Sequence, residues 1–130
     1  MTKTLSIIGR NIADIPTFYA EINRVFMADE EWRLADSLDA FNDLLYGGYG
    51  AIEGREPVRI VWQDMAASRS ALGFQATRGF LVGKLQRPDL FNVDVIGRQL
   101  DALDRGTGQT YFDIVIEIIR DHRNIELVAA

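Results

Sequence analysis

The chain has 130 residues, of which 48% are hydrophobic and 25% charged, a composition typical of a soluble globular protein. This length allows one domain with a well-developed hydrophobic core and is too short for two domains of typical size. The net charge of −5 disfavours nucleic acid as a direct ligand, because phosphate binding requires clustered Lys and Arg, and it suits a basic protein partner.

The chain has no cysteine, which excludes disulfides, thiolate nucleophiles and cysteine-ligated metals and fits a reducing compartment. Its first residues, MTKTLSIIGR, contain no apolar run of signal-peptide length. No run reaches the roughly eighteen residues that a membrane helix needs. The sequence therefore predicts a cytoplasmic protein.

The first predicted elements are a strand over Thr4–Ile8 and an amphipathic helix over Pro16–Met27, with Asp14 before it. An acidic loop then leads into a second helix, in the stretch DEEWRLADSLDAFNDLLYGG. Asp36 or Ser37 is the expected N-cap of that helix, and paired glycines end it. Its apolar stripe consists of Leu38, Phe41, Leu44 and Leu45.

Asp36, Asp39 and Asp43 fall on a different face of this second helix. Asp39 and Asp43 are a like-charged i,i+4 pair, which costs a helix about 0.2–0.5 kcal/mol. One interpretation is a solvated acidic face, the usual role of such charges. The other is a surface that meets a cationic partner.

The second half of the chain is predicted to contain two more strands with helices between them. The Gly73–Pro88 segment reads as a hairpin or an irregular excursion, because three glycines interrupt its apolar residues. The predicted strands cover Val58–Trp62 and, at the end of the chain, Ile125–Val128. The predicted helices cover Asp64–Leu72, Asp94–Asp104 and Gln109–Arg123, and Asp64 is the expected cap of the first of them. Strands separated by helices predict a single α/β domain over residues 1–130, with a small three-stranded parallel sheet covered by helices.

The motif DSLDAFNDLLYGG resembles that of the barstar family, intracellular inhibitors of barnase-type ribonucleases. The strand PVRIVW and the C-terminal EIIRDHRNIELV are similar to that family as well. The resemblance covers residues 2–66 and 109–130. It leaves residues 67–108 as an expected subgroup-specific insertion.

The resemblance implies a protein that plugs the active site of a basic ribonuclease or nuclease toxin with an acidic helix and the loop before it. Asp39 and Asp43 match the family's paired inhibitory aspartates, and Asp121 matches the acid of the last helix. These carboxylates would stand in for substrate phosphates, with Asp36 beside them. The resemblance implies no cofactor and no metal.

The sequence departs from the family pattern at two places near this motif. Asn42 stands where the family usually has Trp between the paired aspartates. In the preceding loop, Arg33-Leu34-Ala35 stands where the family offers a tyrosine before a glycine, and Trp32 lies just upstream. Trp32 either replaces the aromatic contact with the partner or caps the core. These departures indicate a partner with a different surface.

Two other classes of function compete with an inhibitor. The first is an enzyme, because paired carboxylates can serve as acid and base or hold Mg²⁺. Acid–base catalysis requires one desolvated carboxyl group, however, and Asp39 and Asp43 are expected to be exposed together. The single histidine, His122, leaves no spare for a Ser-His-Asp system or a metal site, and we expect it at the end of the last helix. An acidic interaction module with a different basic partner remains the main alternative.

Overall fold

A computed structural model describes residues 2–130. Three parallel strands lie in the order β1-β2-β3, and helices separate them in the sequence. The elements are β1 (Lys3–Ile8), α1 (Ile15–Phe26), α2 (Leu38–Leu45), β2 (Val58–Gln63), α3 (Met65–Ala71), α4 (Phe74–Leu85), α5 (Val93–Asp104), α6 (Tyr111–Asp121) and β3 (Ile125–Ala129). The α/β class and the three-stranded parallel sheet are therefore confirmed.

The central strand shows that helices cover only one face of the sheet. Val58, Ile60 and Trp62 of β2 are buried, whereas the alternating Arg59 and Gln63 are exposed. Both crossovers step in the same direction along the sheet, and crossovers of one hand then place their helices on one side. Parallel sheets are usually covered on both faces. The open face here is polar, with Arg59 on β2 paired to Glu126 on β3.

The main core lies between this sheet and the helices, and aromatic rings fill its centre. Phe18 of α1 makes edge contacts with Phe41 of α2 and Tyr111 of α6, and it stacks on Trp62 of β2. The hydroxyl groups of Tyr19 and Tyr111 are hydrogen-bonded to each other inside the core. Because these rings come from four elements, α2 is packed into the same core as the strands.

The segment Gly73–Pro88 is neither a hairpin nor irregular, because α4 spans most of it. Gly79 and Gly83 lie within that helix, where a Cβ atom would meet no neighbouring atom. They cost helix propensity without breaking the backbone. Packing overrides that cost, since Leu81 of α4 is buried against Ile96 and Leu103 of α5.

The α4–α5 hairpin (residues 74–104) has this small core of its own and joins the main core at two points. The ring of Phe80 packs edge-on against Tyr111, with centroids 5.2 Å apart. The hydroxyl oxygen of Thr77 accepts a 2.7 Å hydrogen bond from the Tyr111 amide at the start of α6. These contacts fix the hairpin, which makes up most of the expected insertion, against α6.

Asp64 precedes α3 as predicted, but its side chain does not cap that helix. Its backbone is left-handed (φ 50°), and its carboxylate instead pairs with Arg10, 2.9 Å away. The other predicted helices and strands are confirmed, with bounds shifted by at most a few residues. Within residues 2–130, no helix is both long enough and apolar enough to cross a membrane.

Candidate functional site

Helix α2 is short, and both of its ends are fixed. The Ser37 hydroxyl accepts a 3.0 Å hydrogen bond from the Ala40 amide, so Ser37 is the N-cap. Phe41, Leu44 and Leu45 are buried against the core. After the helix, Gly47 takes a positive φ of 83°, a conformation that a side chain would strain.

The three carboxylates of the acidic face (Asp36, Asp39 and Asp43) are all exposed. Asp39 lies in the first turn of α2, where a negative charge stabilises the helix dipole. Asp43 lies in the last turn, where the same charge opposes the dipole, and no residue of the described chain forms a salt bridge with it. The charge of Asp43 is thus not compensated by a salt bridge within the described chain.

Asp36 lies outside the helix, and its charge acts on the paired tyrosine hydroxyls. Burial raises the pKa of Tyr19 far above its usual value, and the bond to Tyr111 and the charge of Asp36 add to that effect. Burial likewise raises the pKa of Tyr111, again with a contribution from Asp36. Both tyrosines therefore stay neutral beneath this end of the acidic face.

The loop before α2 (residues 27–37) is anchored by two side chains that the sequence analysis did not single out. The buried Asn23 of α1 accepts a 2.7 Å hydrogen bond from the Leu34 amide and donates to the Leu34 carbonyl at 3.4 Å. Glu30 accepts a 3.1 Å bond from the Gly50 amide. Leu34 is itself only 3% exposed, so the loop is held in one position.

Trp32 on this loop remains 48% exposed and packs edge-on against Tyr49, with ring centroids 4.8 Å apart. Burial raises the pKa of Tyr49, and the nearby charge of Asp43 raises it further. Trp32, Tyr49 and Asp43 therefore lie in one neighbourhood. Arg33, next to Trp32, is exposed and forms no salt bridge within residues 2–130.

The other side of α2 faces the end of α6. The Asn42 Oδ1 atom lies 2.8 Å from Nε2 of His122, the residue that caps α6. Tyr46, 60% exposed, lies edge-on to the imidazole ring with centroids 4.6 Å apart. Asp121 is exposed beside His122 and lines the same shallow pocket as Tyr46. The expected contact residue Asn42 thus makes an internal hydrogen bond.

A further charged residue close to the acidic face, Lys84, comes from the α4–α5 hairpin. It shares a cleft with Leu38 of α2, and its charge interacts with that of Asp39. Lys84 was not predicted to lie at the site, because the glycines of residues 73–88 indicate a hairpin or an irregular excursion and not helix α4. The only signal in the sequence was its place within an apolar stretch.

The site thus brings together the acidic face, the aromatic residues Trp32 and Tyr46 and, at its edge, Asp121. Exposed carboxylates on an ordered backbone can accept charge-assisted hydrogen bonds from arginine and lysine. Within residues 2–130, no cluster of three His, Cys, Asp or Glu side chains has the arrangement needed to hold a metal ion.

No protein-family model matches this chain, and no curated protein matches it either. The resemblance to the barstar family therefore depends on its motif residues alone.

Proposed function

We propose that this chain is a barstar-like inhibitor, which binds a basic ribonuclease or nuclease toxin and covers its active site with α2 and the loop before it. The observation that carries the proposal is Asp43. It is exposed in the last turn of α2, where its charge opposes the helix dipole, and no salt bridge compensates for that cost. An exposed carboxylate with no salt bridge of its own is available for a partner.

Two further features support binding by this surface. The anchored loop and the capped helix are ordered before any partner arrives, which lowers the entropy lost on binding. Exposed Trp32 and Tyr46 flank the acidic face, and tryptophan and tyrosine are enriched among residues that dominate binding energy. Carboxylates flanked by aromatic side chains suit the basic active-site cleft of a nuclease, which otherwise binds the phosphates of its substrate.

Inhibition in this mechanism is steric and electrostatic. Asp39 and Asp43 accept charge-assisted bonds from arginine and lysine of the nuclease, and α2 prevents substrate from entering. The negative net charge speeds the encounter with a basic enzyme, and salt weakens that effect. An inhibitor that protects its own cell acts where the nuclease is made, which corresponds to a cytoplasmic location.

The test measures the activity of a barnase-type ribonuclease with and without an equal concentration of this protein, at low and at physiological salt. We expect inhibition that weakens as salt increases. Asp43→Ala is expected to raise the inhibition constant at least tenfold, about 1.4 kcal/mol of binding, while unfolding stability stays equal or rises slightly. Asp101→Ala, an exposed helical aspartate of α5, is the matched control and is expected to inhibit normally.

Two outcomes would contradict the proposal in different ways. Unchanged inhibition by Asp43→Ala would remove Asp43 from the interface. No inhibition by the unmodified protein would favour the second candidate, an acidic interaction module with another basic partner. The exposed Arg33 beside Trp32 favours that candidate, because it departs from the barstar pattern in the loop that would dock and so indicates a partner with a different surface.

A further inference from the structure

Lys84 of α4 has a fixed position on the α4–α5 hairpin. Its Nζ atom lies 4.3 Å from the ring centroid of Phe80 and 5.1 Å from that of Phe91. An ammonium group over aromatic faces is attracted by their negative potential. Lys84 is therefore held between two rings, unlike a lysine that extends freely into solvent.

This position lies at the border between the hairpin and α2. Lys84 lines a cleft of about 250 Å³ together with Leu38 of α2 and Tyr111 of α6. Asp39 follows Leu38 in the chain and is exposed. Burial in the cleft lowers the pKa of Lys84, and the negative charge of Asp39 acts against that shift. The two charges are close enough to interact, although they form no direct salt bridge.

The three carboxylates of the acidic face are consequently not equivalent. None of the three forms a salt bridge within residues 2–130, but only Asp39 directly follows Leu38, the α2 residue that shares the cleft with Lys84. A partner's cation placed against Asp39 would also approach Lys84, and like charges brought together at an interface are unfavourable.

We propose that Lys84 is a specificity-determining residue of the acidic face, which weakens the attraction of Asp39 for a partner's cations and selects basic partners that place an oxygen beside Lys84. This inference rests on the proposed function, since it refines which partners the acidic face accepts. Asp43 and Asp36 then bind the partner's cations more strongly than Asp39 does. A carboxylate or carbonyl oxygen of the partner accepts a hydrogen bond from Lys84.

The test is a double-mutant cycle of Lys84→Met and Asp39→Asn, measured on inhibition of a barnase-type ribonuclease at low salt. Methionine keeps the unbranched stem against Phe80 and removes the charge. We expect Asp39→Asn to weaken inhibition by less than about threefold alone and by about tenfold or more in the Lys84→Met background. Equal losses in the two backgrounds would overturn the inference.

Arg59→Gln is the matched control for net charge. Arg59 is exposed on the open face of the sheet, opposite the face on which α2 packs. Arg59→Gln removes one positive charge, as Lys84→Met does, but at a site away from α2. It is therefore expected to leave the effect of Asp39→Asn unaltered. If Arg59→Gln enhances that effect as strongly as Lys84→Met does, general charge and not Lys84 is responsible, and the inference fails.

A second measurement needs no nuclease. The chain has only two lysines, Lys3 and Lys84, so lysine-selective labelling gives two easily assigned NMR titrations. Asp39→Asn is expected to lower the pKa of Lys84 and leave that of Lys3 unchanged. An unchanged Lys84 titration overturns the inference whatever the ribonuclease assay gives.

An arginine octapeptide separates this inference from the proposed function. The unmodified protein, the two single variants of the cycle and the double variant are titrated with the peptide at low salt. If the unmodified protein binds the peptide but does not inhibit the ribonuclease, the proposed function fails and the peptide cycle decides the role of Lys84. The peptide is all cationic, so Lys84→Met is expected to tighten its binding by about threefold or more. Unchanged peptide affinity would count against the inference.

Discussion

His122 and Asn42 join the two helices on which the candidate site depends. The His122 Nε2 atom at the end of α6 lies 2.8 Å from the Asn42 Oδ1 atom in α2. Asn42 lies one residue before Asp43 in the chain, so this bond fixes the rotation of α2 about its axis. The direction in which Asp39 and Asp43 project therefore depends in part on a contact on the neighbouring side of the helix.

Asn42→Ala is expected to lower the free energy of unfolding by about 1–3 kcal/mol, because the His122 N–H group loses its partner in a nearly buried setting. Urea denaturation at pH 7.5 measures the change. His122→Ala and the double variant complete a cycle, for which we expect a coupling of at least about 0.5 kcal/mol. Additive losses would mean that the contact does not stabilise the fold.

Stability is also expected to depend on pH through His122. Burial lowers the pKa of His122 below its usual 6.5, although Asp121 acts in the other direction. The unfolded chain then binds this proton more tightly than the folded protein does. Stability should therefore decrease as pH falls below about 6.5, with no effect from this group above that value.

The urea midpoint at pH 7.5 and at pH 5.5 measures this dependence, in a range above the titration of the carboxyl groups. His122 is the single histidine, so His122→Gln removes the effect at its source. We expect a smaller difference between the two pH values in that variant. An equal difference in both proteins would contradict a buried, neutral His122.

The sequence allowed most of the fold to be predicted because its signals were local. An apolar stripe, a capping serine and a glycine after Leu45 each constrain α2 without reference to the rest of the chain. The same reasoning failed for α4, because Gly79 and Gly83 indicate a break by local propensity. That helix is stabilised by contacts with α5 and Tyr111, which follow it in the chain.

The candidate site was predicted less completely for the same reason. The three aspartates of the acidic face form a sequence motif, but the residues that surround them come from distant parts of the chain. Asn23 anchors the loop from α1, and Lys84 of α4 shares a cleft with Leu38, the residue before Asp39. Nothing in a linear pattern relates these side chains to α2, since their proximity is a product of tertiary packing.

Asn23→Ala is expected to loosen the loop before α2. The side chain bonds both the amide and the carbonyl of Leu34 and also donates to the Tyr19 carbonyl at 2.8 Å. Hydrogen exchange of the Leu34 amide should accelerate by about tenfold or more. Inhibition of the nuclease should weaken too, because the loop would then be ordered only on binding.

Asn11→Ala is the control for this variant. Asn11 is exposed and makes one side-chain bond, to Glu21, away from the loop. It is expected to leave exchange at Leu34 unchanged. If both variants accelerate that exchange equally, global destabilisation and not the loss of an anchor is responsible.

Glu21→Gln tests the anchor that holds α1 to the end of β1. The nearly buried carboxylate accepts bonds from the Ile8 amide at 2.8 Å, from Asn11 at 3.0 Å and from two nitrogens of Arg24. Burial alone would raise the pKa of Glu21, but these bonds, that from Arg24 first, lower it below 4.5. The uncharged amide cannot accept all of them, so we expect a loss of about 1–3 kcal/mol at pH 7.

The sign of the pH dependence makes this prediction specific. A lowered carboxyl pKa contributes stability that is fully present above about 4.5 and is lost as pH falls below that value. The urea midpoints of the two proteins should therefore differ at pH 7 and converge towards pH 3. Glu53→Gln, at an exposed carboxylate, should match the unmodified protein at both pH values. A difference for Glu21→Gln that persists at pH 3 would show that packing, and not the charge of Glu21, stabilises this junction.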